Sequence, residues 1–357
     1  MTRSRLRSRF CRTFRSTFFL LAGTILTAAG AVADLEPLSD FNGRGGWSID
    51  GGGPVLGIDL EIPEGSTVVT AILYCGTGLG PPAAPGVTPT VILGDQTYGA
   101  NEFVPLPWAG PQGSTRGMQA FRADIGEQVR ALIGAGSGGS IHLDVASATY
   151  PPPGRTTGQV VVVVFENQSL ERVHIALLDG AAPFLGTAFV AALPGRAEQD
   201  LPTTQLSVGI GFSTGSGDQK TILNINGRRL TSIAGGDDDH FSLMTVGGLG
   251  DDPGNPPDPY FSPVVAGELD DELYDLSRGN EVDEAPFVST SETALEVTAE
   301  GASEGDLLFF AGLKASLGAE PTLVEIPALG LGGLIVMFSG LAAASVRALR
   351  LNGRARR

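Results

Sequence analysis

Hydrophobic positions along this chain fall mostly in short alternating runs. Ile58-Asp59-Leu60-Glu61-Ile62 and Ser140-Ile141-His142-Leu143-Asp144-Val145 put an apolar side chain at every second residue. In an extended backbone that spacing lines one face of a half-buried strand. Residues 67–75 are β-branched and apolar, and residues 90–98 read as a hairpin turning at Gly94-Asp95. Val160-Val161-Val162-Val163-Val164-Phe165 is apolar on both faces, the pattern of a strand between two covering layers. Val173, Ile175 and Leu177 form the next inward row, with His174 on the outward side. Residues 206–212, 221–227, 273–276, 295–298 and 307–313 continue the strand series. Residues 237–263, dense in Asp, Gly and Pro, read as one loop.

One segment departs from this period. Ile125, Val129, Leu132 and Ile133 share a helical face. Asp124-Ile125-Gly126-Glu127 before them has capping-box spacing, which predicts a helix starting at Asp124 and ending in residues 134–139.

The two ends of the chain carry different signals. Arg3, Arg5, Arg7, Arg9, Arg12 and Arg15 precede an apolar stretch at residues 18–26, which closes on Ala31-Val32-Ala33. A basic start, an apolar middle and an A-x-A site predict a secretory signal peptide over residues 1–33, with Ala31 and Ala33 forming the cleavage site. Residues 326–346 carry no charge, and Arg347, Arg350, Arg354, Arg356 and Arg357 follow. About 20 apolar residues span a bilayer as a helix, and Lys and Arg stay on the cytoplasmic side. The preceding body is therefore expected outside the cytoplasm, anchored in a membrane.

The expected class is all-β: one or two β-sandwich domains of jelly-roll type, one short helix and a single C-terminal transmembrane helix. The expected divisions are residues 34–182, residues 183–320, and a sorting and membrane segment over residues 321–357. The halves echo each other. Leu93-Gly94-Asp95 matches Ile225-Asn226-Gly227 as a strand reaching a turn, and Asp124 and Asp275 each lead a later segment.

Charge narrows the partners. The chain has 39 acidic and 23 basic residues, and all the acids lie between Asp34 and Glu325. So acidic a body repels phosphate backbones and excludes nucleic acid as a partner. With Cys11 in the signal peptide, Cys75 stands alone, so no internal disulfide is expected, and its apolar run predicts a buried thiol.

The C-terminal residues Val324-Glu325-Ile326-Pro327-Ala328-Leu329, the apolar span and the Arg cluster together resemble the tripartite sorting tails handled by exosortase-type enzymes. The likeness is to the Ile-Pro-Thr-Leu group, with Ala328 in place of Thr. It covers residues 324–357 and implies a Gram-negative-type envelope protein. It also implies an inner-membrane sorting protease as partner, with Ile326, Pro327, Ala328 and Leu329 as the motif it reads. A second resemblance rests on Arg122-Ala123-Asp124-Ile125, residues 159–166 and residues 172–180. These look like β-sandwich repeats of uncharacterised bacterial surface proteins, from which no functional residue transfers.

No constellation converges on a reaction. Gly211-Phe212-Ser213-Thr214-Gly215 fits G-x-S-x-G, but Gly215-Ser216-Gly217-Asp218 is turn rather than the helix a nucleophile elbow needs, and His240 is the sole later histidine. His142 and Asp144 share the outward face of one strand. Asp237, Asp238, Asp239, Asp251 and Asp252, with Asn255 and Asp258, are the calcium candidates, although no EF-hand pattern is present. Trp47, Trp108, Tyr150 and Tyr260 sit in loop-like context, where the rings either bury loop edges in the core or, if exposed, stack on a cell-surface or matrix glycan. The expectation is a non-catalytic structural or binding protein of the cell surface or extracellular matrix, without a required cofactor. Two alternatives stay open: a carbohydrate- or calcium-dependent adhesion module, and a cryptic hydrolase.

Overall fold

The period-two runs become strands throughout the computed structural model, which describes residues 35–53, 57–78, 87–109, 117–134, 138–152, 154–183, 185–193, 203–212, 221–235, 243–260, 272–301 and 306–318. In chain order the elements are β1 (Leu35–Gly52), β2 (Gly57–Ile62), β3 (Thr67–Gly78), β4 (Thr90–Leu93), β5 (Gln96–Tyr98), β6 (Val104–Ala109), β7 (Met118–Asp124), α1 (Gly126–Ile133), β8 (Gly139–Thr149) and β9 (Arg155–Glu166). They continue with β10 (Arg172–Pro183), β11 (Leu185–Ala192), β12 (Thr204–Gly211), β13 (Thr221–Ile225), β14 (Arg228–Ala234), β15 (Met244–Val246), β16 (Leu273–Asp275), β17 (Ala294–Gly301) and β18 (Leu307–Ser316).

The long strand β1 changes partner midway. Its first part lies antiparallel to β10, from Leu35 opposite Gly180 to Arg44 opposite Arg172. Its second part lies antiparallel to β9, from Gly45 opposite Glu166 to Gly52 opposite Gln159. The β9–β10 turn closes over the switch: Asn167 N donates to Arg44 O at 2.8 Å, and Gly45 N donates to Glu171 O at 3.2 Å. Only glycine fits at position 45, because a Cβ there would stand 2.1 Å from the Phe165 carbonyl oxygen. Asn167 lies in this turn. Its amide is buried and donates to Glu64 O and Ser66 Oγ.

Two inner sheets therefore meet along β1. One runs β1–β9–β3–β7–β6, and the other β1–β10–β18–β12 with β15 and β16 both beside β12. They pack face to face. Ile72, Tyr74, Val160, Val162 and Val164 of one meet Ile175, Leu177, Phe309 and Phe310 of the other. The Tyr74 ring lies 5.5 Å from Phe309 and 5.6 Å from Phe310, both tilted. An outer sheet, β2–β8–β4–β5, and α1 cover the far side of the first, sealing Leu73, Cys75, Val161 and Val163 against Ile58, Leu60 and Val129. A second outer sheet, β11–β17–β13–β14, covers the far side of the other, where Leu206, Val208 and Ile210 meet Leu223, Ile225 and Val297. The result is four β layers around three cores.

The same strand order occurs twice. β1 to β9 give the inner order β1–β9–β3–β7–β6 and the outer order β2–β8–β4–β5. Replacing each strand by its counterpart, β10 for β1 through β18 for β9, reproduces β11–β17–β13–β14 and β10–β18–β12, and differs only at the edge, where β16 and β15 both pair with β12 while β7 pairs with β3 and β6 with β7. On this order the repeat begins at Arg172, one strand ahead of a 182/183 division. The pairing of β10 with β1 and with β18 joins the halves in one hydrogen-bonded sheet.

Three local expectations change. The helix starts at Gly126 rather than Asp124, because Asp124 is still paired in β7 opposite Ile72. Its carboxylate accepts from Gly126 N at 2.7 Å, while the N-cap residue, Ile125, makes no side-chain cap bond, so the capping box is not formed. The expected loop at residues 237–263 contains β15, whose three residues pair with Gly209, Ile210 and Gly211. His174 is buried rather than outward, because β10 is covered on both faces. No helix of the described residues is long and apolar enough to cross a membrane, and residues 326–346 lie outside those described.

The switch in β1 yields a stability test. Gly45→Ala drives a methyl into fixed backbone and is expected to cost about 1–3 kcal/mol, the range for overpacking. Gly43→Ala meets only the rotatable Phe41 ring, at 2.9 Å, and should cost less. Urea unfolding midpoints of the two variants check the order.

Candidate functional site

At the Gly180 end of β10 the inner sheets part, and a cleft of about 380 Å³ opens. Its lining includes Glu36 and Leu38 of β1, Pro105 and Pro107 of β6, Arg122 of β7 and Asp179 of β10. Register brings these groups together. Glu36 lies opposite Asp179, and Tyr74 opposite Arg122. Met118 and Ala120 point into the inner core, so Arg122, two residues on, reaches the mouth of the same face.

The three polar groups bind one another across the two sheets. Arg122 Nη1 donates to Asp179 Oδ1 at 2.6 Å and Oδ2 at 2.7 Å, and the Tyr74 hydroxyl donates to Oδ2 at 3.1 Å. The Asp179 side chain is 4% exposed, that of Arg122 31%. A carboxylate so dry is tolerable only with a cation and further donors beside it. Burial, and then the Asp179 charge, push the Tyr74 phenol well above its ordinary range. A ligand entering the cleft meets an exposed carboxylate at Glu36, part of the Arg122 guanidinium and an apolar wall at Pro105, Leu106 and Pro107. That set can orient a ligand.

A second polar group sits on the solvent face of β2 and β8. His142 and Asp144 both point outward, as the alternation predicts, and Asp59 lies opposite His142 in register. The His142 Nδ1 is 2.7 Å from Asp59 Oδ1, and Nε2 is 3.4 Å from Asp144 Oδ1. The ring covers Gly57, where a Cβ would lie 2.3 Å from it. The hydrogen bond to Asp59 chiefly holds the His142 pKa above its ordinary 6.5. Behind it, Asp50 accepts from Asp59 N, and burial raises the Asp50 pKa.

The other sequence candidates are dispersed. Asp251 is used locally, accepting from Gly248 N, and Asp252 is exposed. Asn255 Nδ2 donates to the carbonyls of Asp275 and Gly279, and Asp258 accepts from Tyr260 N. Among the described residues, no three His, Cys, Asp or Glu side chains gather as a metal-binding group. Asp237, Asp238, Asp239, Ser213, His240, the cleavage pair Ala31 and Ala33, and the motif Ile326, Pro327, Ala328 and Leu329 lie outside the described residues. The aromatics do not form one platform: Trp47 is half-buried under Lys314, Tyr150 packs on Phe121, and Tyr260 is 66% exposed beside Arg229. Cys75 is buried, and burial pushes its thiol pKa up to about 12, which leaves it unreactive at neutral pH. No sequence signal singles out Arg122 as a site residue. Its partners stand 57 and 48 residues away, and only the sheet register brings them together.

No protein-family model, curated protein or solved structure matches this chain.

Two outcomes follow from the geometry. Arg122→Met strands Asp179 in the core and is expected to cost about 2–3 kcal/mol, below the roughly 3–5 of a wholly buried pair because Arg122 is partly solvated. Adding Asp179→Leu should recover part of that loss, and a double-mutant cycle by chemical denaturation reads it. For His142, the raised folded-state pKa sets the sign. Its stabilisation is fully present below the unfolded value of 6.5 and is lost as pH rises through the folded value. His142→Gln should therefore flatten the pH dependence of the unfolding midpoint in that window, and an NMR titration of the ring gives the folded pKa directly.

Proposed function

We propose that this chain is an exported β protein of a cell envelope, held or displayed through its C-terminal segment, that acts by structure and binding rather than catalysis. The observation that carries the reading is the pair of ends. A basic, apolar and small-residue leader stands at one, and an uncharged run followed by five arginines stands at the other. Ile326, Pro327, Ala328 and Leu329 are where an inner-membrane sorting protease would cut, releasing the body to the cell surface or extracellular matrix. The ionic groups of the cleft fit a binding role. Asp179 is held between Arg122 and Tyr74, which orients the guanidinium but leaves the carboxylate no free base function. The geometry also suits display. β18 leaves the sheet beside Val173, while the cleft opens at the Gly180 end of β10. A tether on the C-terminal side would hold the cleft mouth away from the lipid.

Intact-mass measurement on membrane, medium and cytosolic fractions of the native host tests this. The expected species begins at Asp34 and is found in the membrane or the medium, with the medium form ending near Ile326. A full-length, untrimmed chain in the cytosol would overturn the reading.

A further inference from the structure

The polar groups of the cleft do not use one another up. Both bonds from Arg122 to Asp179 leave from Nη1. Among the described residues, Arg122 Nε and Nη2 reach no acceptor, and the Glu36 carboxylate has no cation or donor. Glu36 stands opposite Asp179 in the β1–β10 ladder, so the two side chains share a face with Cβ atoms about 5 Å apart. Val104 lies opposite Arg122 in the β6–β7 ladder and is 51% exposed. Leu38 and Pro107 continue that apolar wall. The open side of the guanidinium and the free carboxylate are thus neighbours, with uncovered aliphatic surface beside them.

These groups select an occupant. Two carboxylates, Glu36 and Asp179, against one guanidinium leave the cleft with a net negative charge, in a chain whose formal net charge is −16. The head group that fits is a cation, and an anion is repelled. The open side of Arg122 calls for an acceptor, and a neutral carbonyl suffices because Asp179 already balances the guanidinium. Cation and carbonyl must be close together on the ligand, since Glu36 and Arg122 flank the same carboxylate. An α-ammonium has its own carbonyl beside it, whereas a lysine ammonium is separated from one by its long stem. No aromatic side chain lines the cleft, so it lacks the cage that holds a quaternary ammonium. A volume of about 380 Å³ is at the small end for ligand sites and suits one or two residues.

We infer that the cleft binds the N-terminal residue of a peptide. The α-ammonium donates to Glu36, the carbonyl of the same residue accepts from Arg122, and an aliphatic side chain lies against Leu38, Val104 and Pro107. Asp179 and Tyr74 do not touch the ligand; they position the guanidinium. An acetylated end lacks the cation. A free amino acid brings a second carboxylate to a site that is already negative. The inference rests on the reading of the cleft as a binding site, and not on export of the chain.

Ligand-observed NMR titration of the full chain in mild detergent tests this with L-leucinamide, which reproduces an N-terminal leucine. Saturable binding is expected. N-acetyl-L-leucinamide, 3-methylbutylamine, which lacks the carbonyl, and free L-leucine should each bind at least about ten-fold more weakly, the loss of one hydrogen bond to a charged group. Glu36→Gln should lower the affinity for leucinamide by a similar factor without moving the unfolding midpoint, because Glu36 is exposed. Glu127→Gln, also exposed but on α1, should bind as the parent does. Absence of saturable binding overturns the inference, as does unchanged affinity on acetylation, on loss of the carbonyl or in Glu36→Gln. Tighter binding of leucine than of leucinamide overturns it in favour of a free amino acid. The mass measurement on cell fractions decides the export reading separately, whichever way the titration falls.

Discussion

Two sheets of this molecule are covered on both faces, and everything else is arranged around that burial. Val160, Val162 and Val164 of β9 enter one core while Val161, Val163 and Phe165 enter another. On β18, Phe309 and Phe310 face one core while Leu308, Ala311 and Leu313 face another. Burying a side chain of this size contributes about 1.5–3 kcal/mol, so a strand apolar on both faces is stable only with a layer on each side. The outer sheets are therefore a requirement of the inner strands. Polar groups that reach the shared core must find partners there, as Asp179 does in Arg122 and Tyr74.

The repeated strand order explains how the layers come about. Each half is a two-sheet sandwich whose inner sheet still has an apolar outer face, and each meets that need by covering the other. β1 and its counterpart β10 lie antiparallel at the join. The halves thus face each other much as two subunits would, but within one chain. The repeats have also diverged in chemistry. His142 and Asp59 mark the outer sheet of the first, while Thr187, Val190 and Glu296 mark that of the second.

Much of this architecture is legible in the sequence, because burial writes itself as period two. The alternation at residues 58–62 and the continuous run of β9 predict one half-buried and one fully buried strand. The turn at Gly94-Asp95 predicts a hairpin, and Asn226-Gly227 predicts a turn at the end of a strand. What stays hidden depends on register or on very short pairing. Three residues, as in β15 and β16, are too few to display a period. His174 looks outward when its strand is taken alone, and is buried because β10 has layers on both sides. Arg122, Tyr74 and Asp179 are ordinary members of three strands until pairing aligns them, and the same holds for Asp59 beside His142.

The positions of Leu35 and Ser316 have a mechanical meaning. β1 and β18 flank β10 on opposite sides and run parallel to each other, with Leu35 at the Gly180 end of β10 and Ser316 at the Val173 end. Tension applied between these points acts along the strands. The β1–β10 and β10–β18 ladders would then slide under shear, with their hydrogen bonds sharing the force, instead of peeling open in sequence. Under such a pull, survival time is set by how fast the body unfolds rather than by its equilibrium stability.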